Sequence, residues 1–96
     1  MQFSPDLRAQ VIAGRVTLSI RLWTRPQAKV GGRYAVGPVS IVVDEMELVP
    51  FSAVSEADVR EAGELDREAL RARAAHAGPI GEDTLVYRIE FHVDAP

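Results

Sequence analysis

The sequence predicts a small α+β domain in which a curved sheet or partly closed barrel packs against short helices. Two segments alternate apolar and polar residues with the period of a β-strand, Arg15 to Trp23 and Leu85 to Val93. Helix-start signals stand before and between the strands, at Ser4, Ser55 and Asp66. Strands that alternate with such short helices favour one sheet whose open ends the helices cover.

The length and composition exclude several classes of protein. The chain has 96 residues, which suffice for one hydrophobic core, so we expect a single domain over residues 1–96. It has no cysteine, which rules out disulfides, thiolate nucleophiles and cysteine-ligated metals. The apolar stretches are too short to cross a bilayer and no signal-peptide pattern opens the chain, so we expect a cytoplasmic protein. The glycines form no phosphate-binding loop, which argues against nucleotide hydrolysis.

The charge is distributed unevenly along the chain. The net charge is -3, but residues 1–43 carry six basic side chains and one acid, whereas residues 44–96 carry five basic side chains and thirteen acids. Such a division suits a protein that meets an anion with one face while it stays acidic as a whole. The isoelectric point near 5.3 argues against nonspecific binding to duplex DNA.

The first elements are a helix and a strand. Ser4 can cap a helix that has Pro5 at its first position and that ends at Gly14. The strand from Arg15 to Trp23 has an apolar face and a polar face. The apolar face is formed by Val16, Leu18, Ile20 and Leu22, and the opposite face by Arg15, Thr17, Ser19, Arg21 and Trp23.

The middle of the chain predicts a loop and a hairpin. Thr24 to Gly32 is a loop because it contains a proline and a pair of glycines. A short strand, Arg33 to Val36, is followed by a turn at Gly37-Pro38 and a long strand from Val39 to Val49. The apolar parity of the long strand changes near Asp44, which indicates a bulge or bend.

Two helices and a strand complete the domain. Ser55, with Asp58 three residues later, predicts a helix to about Ala62, and Asp66 predicts a second helix through Ala74. The last strand is expected to turn its larger apolar residues inward. These are Leu85, Tyr87, Ile89, Phe91 and Val93.

Three segments resemble the ASCH domain, a PUA-like family that includes small bacterial proteins: Ala13 to Arg21, Gly31 to Tyr34 and Val86 to Phe91. The resemblance extends over nearly the whole chain. In the family's signature, Gly-x-Lys-x-x-x-x-Arg, this chain has Gly14 and Arg21 at the outer positions. The resemblance implies a small PUA-like mixed β-barrel with an N-terminal helix and a pair of short helices before the last strand.

The family's amidohydrolases, which deacetylate N4-acetylcytidine, imply a catalytic set that this chain keeps only in part. They use a lysine in the signature, a hydroxyl three residues later and a glutamate from the helical region. Here the lysine position is Val16 and the hydroxyl position is Ser19, while the glutamate is Glu61 or Glu64. Because valine cannot transfer a proton, the general base is missing, and such a loss typically costs roughly 100- to 10,000-fold in rate. The sequence therefore favours a binding protein over an enzyme, with a small amidohydrolase as the alternative.

The resemblance also implies a ligand, either RNA or a modified nucleoside, held in a basic cleft. The polar face of the first strand and the loop after it provide hydroxyls, guanidinium groups and an indole for stacking. The expected ligand-binding residues are Arg15, Thr17, Ser19, Arg21, Trp23, Arg25 and Lys29. No cofactor is expected, and His76 and His92 are too far apart in sequence to suggest a metal site. A protein partner for the cleft is a third alternative.

Overall fold

The protein is a four-stranded antiparallel sheet with helices packed around it. The structure, a computed structural model, describes residues 1–94 except the side chain of residue 77, so the last two residues of the predicted domain lie outside the described residues. The strands are β1 (Leu18–Arg21), β2 (Arg33–Val36), β3 (Val39–Pro50) and β4 (Leu85–Asp94). Their order in the sheet is β1-β4-β3-β2.

The α+β fold class is confirmed, but the sheet is neither a closed barrel nor mixed. Each of its three strand pairs is antiparallel. The outer strands β1 and β2 do not pair with each other within residues 1–94, so the sheet stays open at β1. Four strands are too few to curl the sheet until its edges meet, since small closed barrels have about eight.

Three helices and two short 3₁₀ turns connect the strands. The helices are α1 (Pro5–Ile12), α2 (Glu56–Glu61) and α3 (Arg67–Ala74). The 3₁₀ turns are Phe51–Ala53 and Ala75–Ala77. Within the described residues, none of the helices is long and apolar enough to span a membrane.

The predicted start signals of α2 and α3 are confirmed. The Ser55 hydroxyl accepts a hydrogen bond from the backbone N–H of Asp58, and the Asp58 carboxylate accepts one from the N–H of Ser55. The Asp66 carboxylate accepts a hydrogen bond of 2.8 Å from the N–H of Ala69. These caps satisfy N–H groups that a helix terminus otherwise leaves without an acceptor.

The strands depart from prediction mainly at β1. The hairpin of β2 and β3 is confirmed, as is the bulge, which lies between Val43 and Glu45. The first strand is shorter than the predicted Arg15 to Trp23 and pairs with β4 only from Leu18 to Arg21. Just before it, Thr17 bonds to two elements: its carbonyl accepts from the N–H of Phe91 in β4, but its own N–H donates to the carbonyl of Glu61 at 3.0 Å.

The face of β4 that is buried changes along the strand. The predicted inward alternation is wrong at the N-terminal end of β4. Val86 is fully buried there, whereas Leu85 is exposed. Val86 packs with Val59 and Leu70 under α2 and α3. Towards the other end Phe91 is buried as predicted, because α1 and the residues before it cover the opposite face.

The sheet therefore packs hydrophobic side chains on both faces. On one face, a cluster joins β1 and β4 to α2, α3 and the first 3₁₀ turn. On the other face, one cluster joins Phe3 and Val11 to Phe91, and a smaller one joins Val43 and Ile89 to Trp23 and Tyr87. Arg88 of β4 also bonds to α2, since its Nε and Nη2 atoms donate to the Asp58 carboxylate at 3.1 and 2.8 Å. This contact lowers the pKa of Asp58, and it fixes α2 against the sheet.

Candidate functional site

A cavity of about 200 Å³ opens beside the edge strand β1, between the residues that precede α1 and the helix α3. Apolar side chains from four parts of the chain line it: Phe3, Leu7, Val16, Leu18, Ile20, Ala62, Leu70 and Ala74. Pockets for drug-sized ligands are larger, about 300–1,000 Å³, so this cavity suits a single small ring system.

Ser19 and Arg21 form a hydrogen-bonded pair in the cavity wall. The Nε atom of Arg21 donates to the Ser19 hydroxyl at 2.6 Å, and Nη2 donates to the backbone carbonyl of Gln2 at 2.6 Å. The guanidinium also lies 4.9 Å from the ring centre of Phe3. Burial lowers the pKa of Arg21 below its ordinary value, but a guanidinium stays protonated in proteins. These contacts hold a permanent positive charge at the cavity, and no protein acceptor for Nη1 is found within residues 1–94.

Glu64 brings a negative charge to the same cavity. Glu64 is only 8% exposed, and its carboxylate accepts hydrogen bonds from Arg73. Arg73 also donates to the Ser4 hydroxyl and, at 2.8 and 3.2 Å, to the carboxylate of Asp6. The two carboxylates raise the pKa of Arg73, and its hydrogen bond lowers the pKa of Asp6 to about 2. Arg73 thus neutralises Glu64 and joins α3 to the start of α1 across the cavity.

A second, more open cavity adjoins the first. Its volume is about 1010 Å³, and Arg21, Phe3 and His76 line both. Its other wall is the loop after β1, including Trp23 and Arg25. The Trp23 ring packs against Tyr87, with 5.7 Å between ring centres.

The structure brings together some of the predicted site residues and separates others. Ser19, Arg21 and Glu64 line the first cavity, and Arg21, Trp23 and Arg25 line the second. The other four predicted residues line neither cavity. These are Arg15, Thr17, Lys29 and Glu61.

The choice between the two glutamates follows from the way α2 ends. Glu61 is exposed in the last turn of α2, where its backbone carbonyl accepts a hydrogen bond from the N–H of Thr17, just before β1. The chain then turns through Gly63, which has a φ of +79°, and this turn directs Glu64 to the cavity. The sequence left the two candidates equal because both stand near a predicted helix end.

Sequence reasoning missed the role of Arg73 and of the residues before α1. Arg73 reads as an ordinary charged residue in a helix, and its partner Asp6 lies 67 positions away. Phe3 directly precedes the N-cap residue of α1, Ser4. An apolar residue at that position often packs against the first turn of the same helix. That signal places Phe3 in contact with α1, but it does not predict a cavity. Within the described residues, no cluster of His, Asp and Glu side chains is arranged to hold a metal ion.

Comparison with known proteins gives the fold. No protein-family model matches the chain, and no curated protein matches it. Among solved structures it is similar to the ASCH domain from Lactobacillus crispatus JV V101, with a TM-score of 0.75, 21% sequence identity and coverage of 92% of this chain and 70% of that one. It is also similar to a DUF984 protein from Enterococcus faecalis V583, with a TM-score of 0.71, 19% identity and coverage of 94% and 68%. The protein therefore has an ASCH-like fold.

Proposed function

We propose that this ASCH-like domain binds a nucleoside, or one nucleotide of a single-stranded RNA, in the cavity beside β1. The observation that carries the proposal is the Arg21 guanidinium, which Ser19 and Gln2 hold in place while Nη1 has no acceptor within residues 1–94. A guanidinium that is fixed in advance loses little entropy when it binds a ligand.

The other groups in the cavity fit the polar edge and the flat faces of a nucleobase. The Ser19 hydroxyl both donates and accepts, and the Glu64 carboxylate accepts hydrogen bonds of the kind that an exocyclic amine donates. The side chains of Leu18, Ile20 and Leu70 provide apolar surface for the faces of a ring. The apolar walls and the few polar groups are typical of small-molecule sites.

Isothermal titration with nucleosides and short single-stranded RNA tests this proposal. Arg21→Ala should weaken binding by roughly 10- to 100-fold, because a hydrogen bond to a charged group is worth about 1.5–3 kcal/mol. Arg33→Ala is the matched control, since Arg33 lies on the opposite edge strand and pairs with Asp94. Thermal unfolding of each variant verifies that it is folded. Equal affinities of the parent and Arg21→Ala would contradict the proposal.

A second candidate function is hydrolysis of an acylated nucleoside such as N4-acetylcytidine. It is favoured by Ser19 and Glu64, which line the same cavity. Against it stands Val16, which is 1% exposed and lines the cavity where the family's amidohydrolases have lysine. Cytidine released by the parent but not by Ser19→Ala or Glu64→Gln would support hydrolysis. If only Val16→Lys releases cytidine, the natural chain is a binding protein that lacks the base.

A further inference from the structure

The second cavity continues from the first and carries positive charge. Arg21 and Arg25 line it, together with His76. No carboxylate belongs to its lining among residues 1–94. The protein as a whole is acidic, with a net charge of -3, so a patch without acids is a departure from the rest of the surface. Such a surface is complementary to an anion.

Arg25 and the Nη1 atom of Arg21 have no protein partner within residues 1–94, whereas three arginines of the helical region are bonded to carboxylates. Arg67 and Arg71 bond to Glu82, and Arg73 bonds to Glu64 and Asp6. Arg25 is exposed and forms no ion pair within the described residues. Arg21 and Arg25 therefore retain donors for a phosphate.

Trp23 gives the second cavity an aromatic wall. Its indole is half-buried, lines the cavity and packs against Tyr87, with the two rings tilted by 42°. The Arg21 guanidinium lies 6.0 Å from its ring centre, on the path from the first cavity. A rigid aromatic ring beside a guanidinium is the combination on which proteins stack unpaired bases next to a bound phosphate.

We propose that the second cavity binds the phosphate and the adjacent base of a single-stranded oligonucleotide. The inference rests on the proposed function, since the first base lies in the cavity beside β1. Arg21 is shared by both cavities, and its Nη1 atom carries two hydrogens, one for the first nucleoside and one for the linking phosphate. Arg25 adds charge, and Trp23 stacks on the second base. The preferred ligand is then at least a dinucleotide, and a free nucleoside fills only half of the site.

Trp23 is the single tryptophan of the chain, so its fluorescence reports on this wall alone. The experiment titrates the full chain with the homodinucleotides of adenine, cytosine, guanine and uracil and with the matching nucleosides. We expect one dinucleotide to quench Trp23 and to bind about tenfold more tightly than its nucleoside, which is within the range for one stacked base. Trp23→Leu, measured by calorimetry, should lose that gain and keep the affinity for the nucleoside.

Arg25→Ala provides a second variant in an exposed position, where folding is not at risk. It should weaken dinucleotide binding and leave nucleoside binding unchanged. Lys29→Ala is its matched control, because Lys29 belongs to the same loop and lines neither cavity. It should leave both affinities unchanged.

The two proposals fail in different ways. Equal affinity for the nucleoside and its dinucleotide would overturn the second-base inference and leave the proposed function intact. If neither binds, both are overturned. If hexaglutamate quenches Trp23 in an Arg25-dependent manner and no dinucleotide does, the patch binds an acidic protein segment and the inference is wrong.

Discussion

Asp6, in the first turn of α1, is held ionised by its contact with α3. The hydrogen bond from Arg73 is the main cause of its low pKa, about 2, and the Ser4 hydroxyl adds to the effect. Ser4 was predicted to cap α1, but it makes no side-chain cap bond there and accepts from Arg73 instead. A hydroxyl beside a helix start satisfies the local pattern equally well in both arrangements, so the sequence could not distinguish them.

The stability that Asp6 contributes to the fold should depend on pH. Because its folded pKa is below the ordinary 3.8, the contribution is present above about pH 4 and is lost as pH falls towards 2. Asp6→Asn should therefore lower the urea midpoint at pH 7 and approach the parent near pH 2. Asp83→Asn is the control, since Asp83 is exposed and forms no ion pair within residues 1–94. A difference between parent and Asp6→Asn that does not change with pH would contradict the assignment.

Among the elements, those with local signals were predicted best. Ser55 with Asp58 begins α2, Asp66 begins α3, and the bulge of β3 falls beside the predicted Asp44, because each depends on neighbours a few positions away. The exposure of Leu85 and the burial of Val86 were not predictable from alternation, since they depend on which face of β4 the helices cover.

In the candidate site, too, the residues with a local sequence signal were predicted, and the features that depend on tertiary packing were not. The signature-based resemblance singled out Ser19 and Arg21, which the structure places in one cavity wall, and left Glu64 undistinguished from Glu61. The cavity itself is formed between β1, the residues before α1 and α3, which are far apart in sequence. No periodicity within one element indicates how three such elements meet.

Gly63, just after α2, has a backbone conformation and close neighbours that disfavour any side chain. Its φ is +79°, and an added Cβ would lie 2.7 Å from Val16 Cγ2 and 3.0 Å from Leu7 Cδ2. Gly63→Ala should therefore lose stability through backbone strain of roughly 1 kcal/mol and through the clash with two buried side chains. Gly31→Ala separates these causes, because Gly31 has a φ of +80° and nothing within 4 Å of the added Cβ. Urea unfolding should show a larger loss at Gly63 by about 1–2 kcal/mol; equal losses would mean that the contact with Val16 is unimportant.

Over the whole chain, the uneven distribution of charge in the sequence corresponds to a difference in how the basic side chains of the two halves are bonded. Four of the five basic side chains of the second half form ion pairs with its carboxylates within residues 1–94: Arg67, Arg71, Arg73 and Arg88. Of the six basic side chains of the first half, Arg33 alone forms an ion pair within residues 1–94, with Asp94, while Arg21 and Arg25 border the cavities. The acidic half thus neutralises most of its own arginines, which leaves much of the positive charge of the basic half for a ligand.

The whole molecule should also unfold as one unit, as expected for a single domain. The hydrophobic clusters on the two faces of the sheet share β4, since Val86 lies in the cluster on one face and Ile89 and Phe91 lie in the two clusters on the other. Loss of the clusters on either face exposes that strand, so neither side has a core of its own. Leu70→Ala, under α3, should cost about 2–5 kcal/mol and should lower the urea midpoints of helical circular dichroism and of Trp23 fluorescence equally, although Trp23 lies on the other side of the sheet. Two separate transitions, or a shift in the helical signal alone, would show that the halves fold independently.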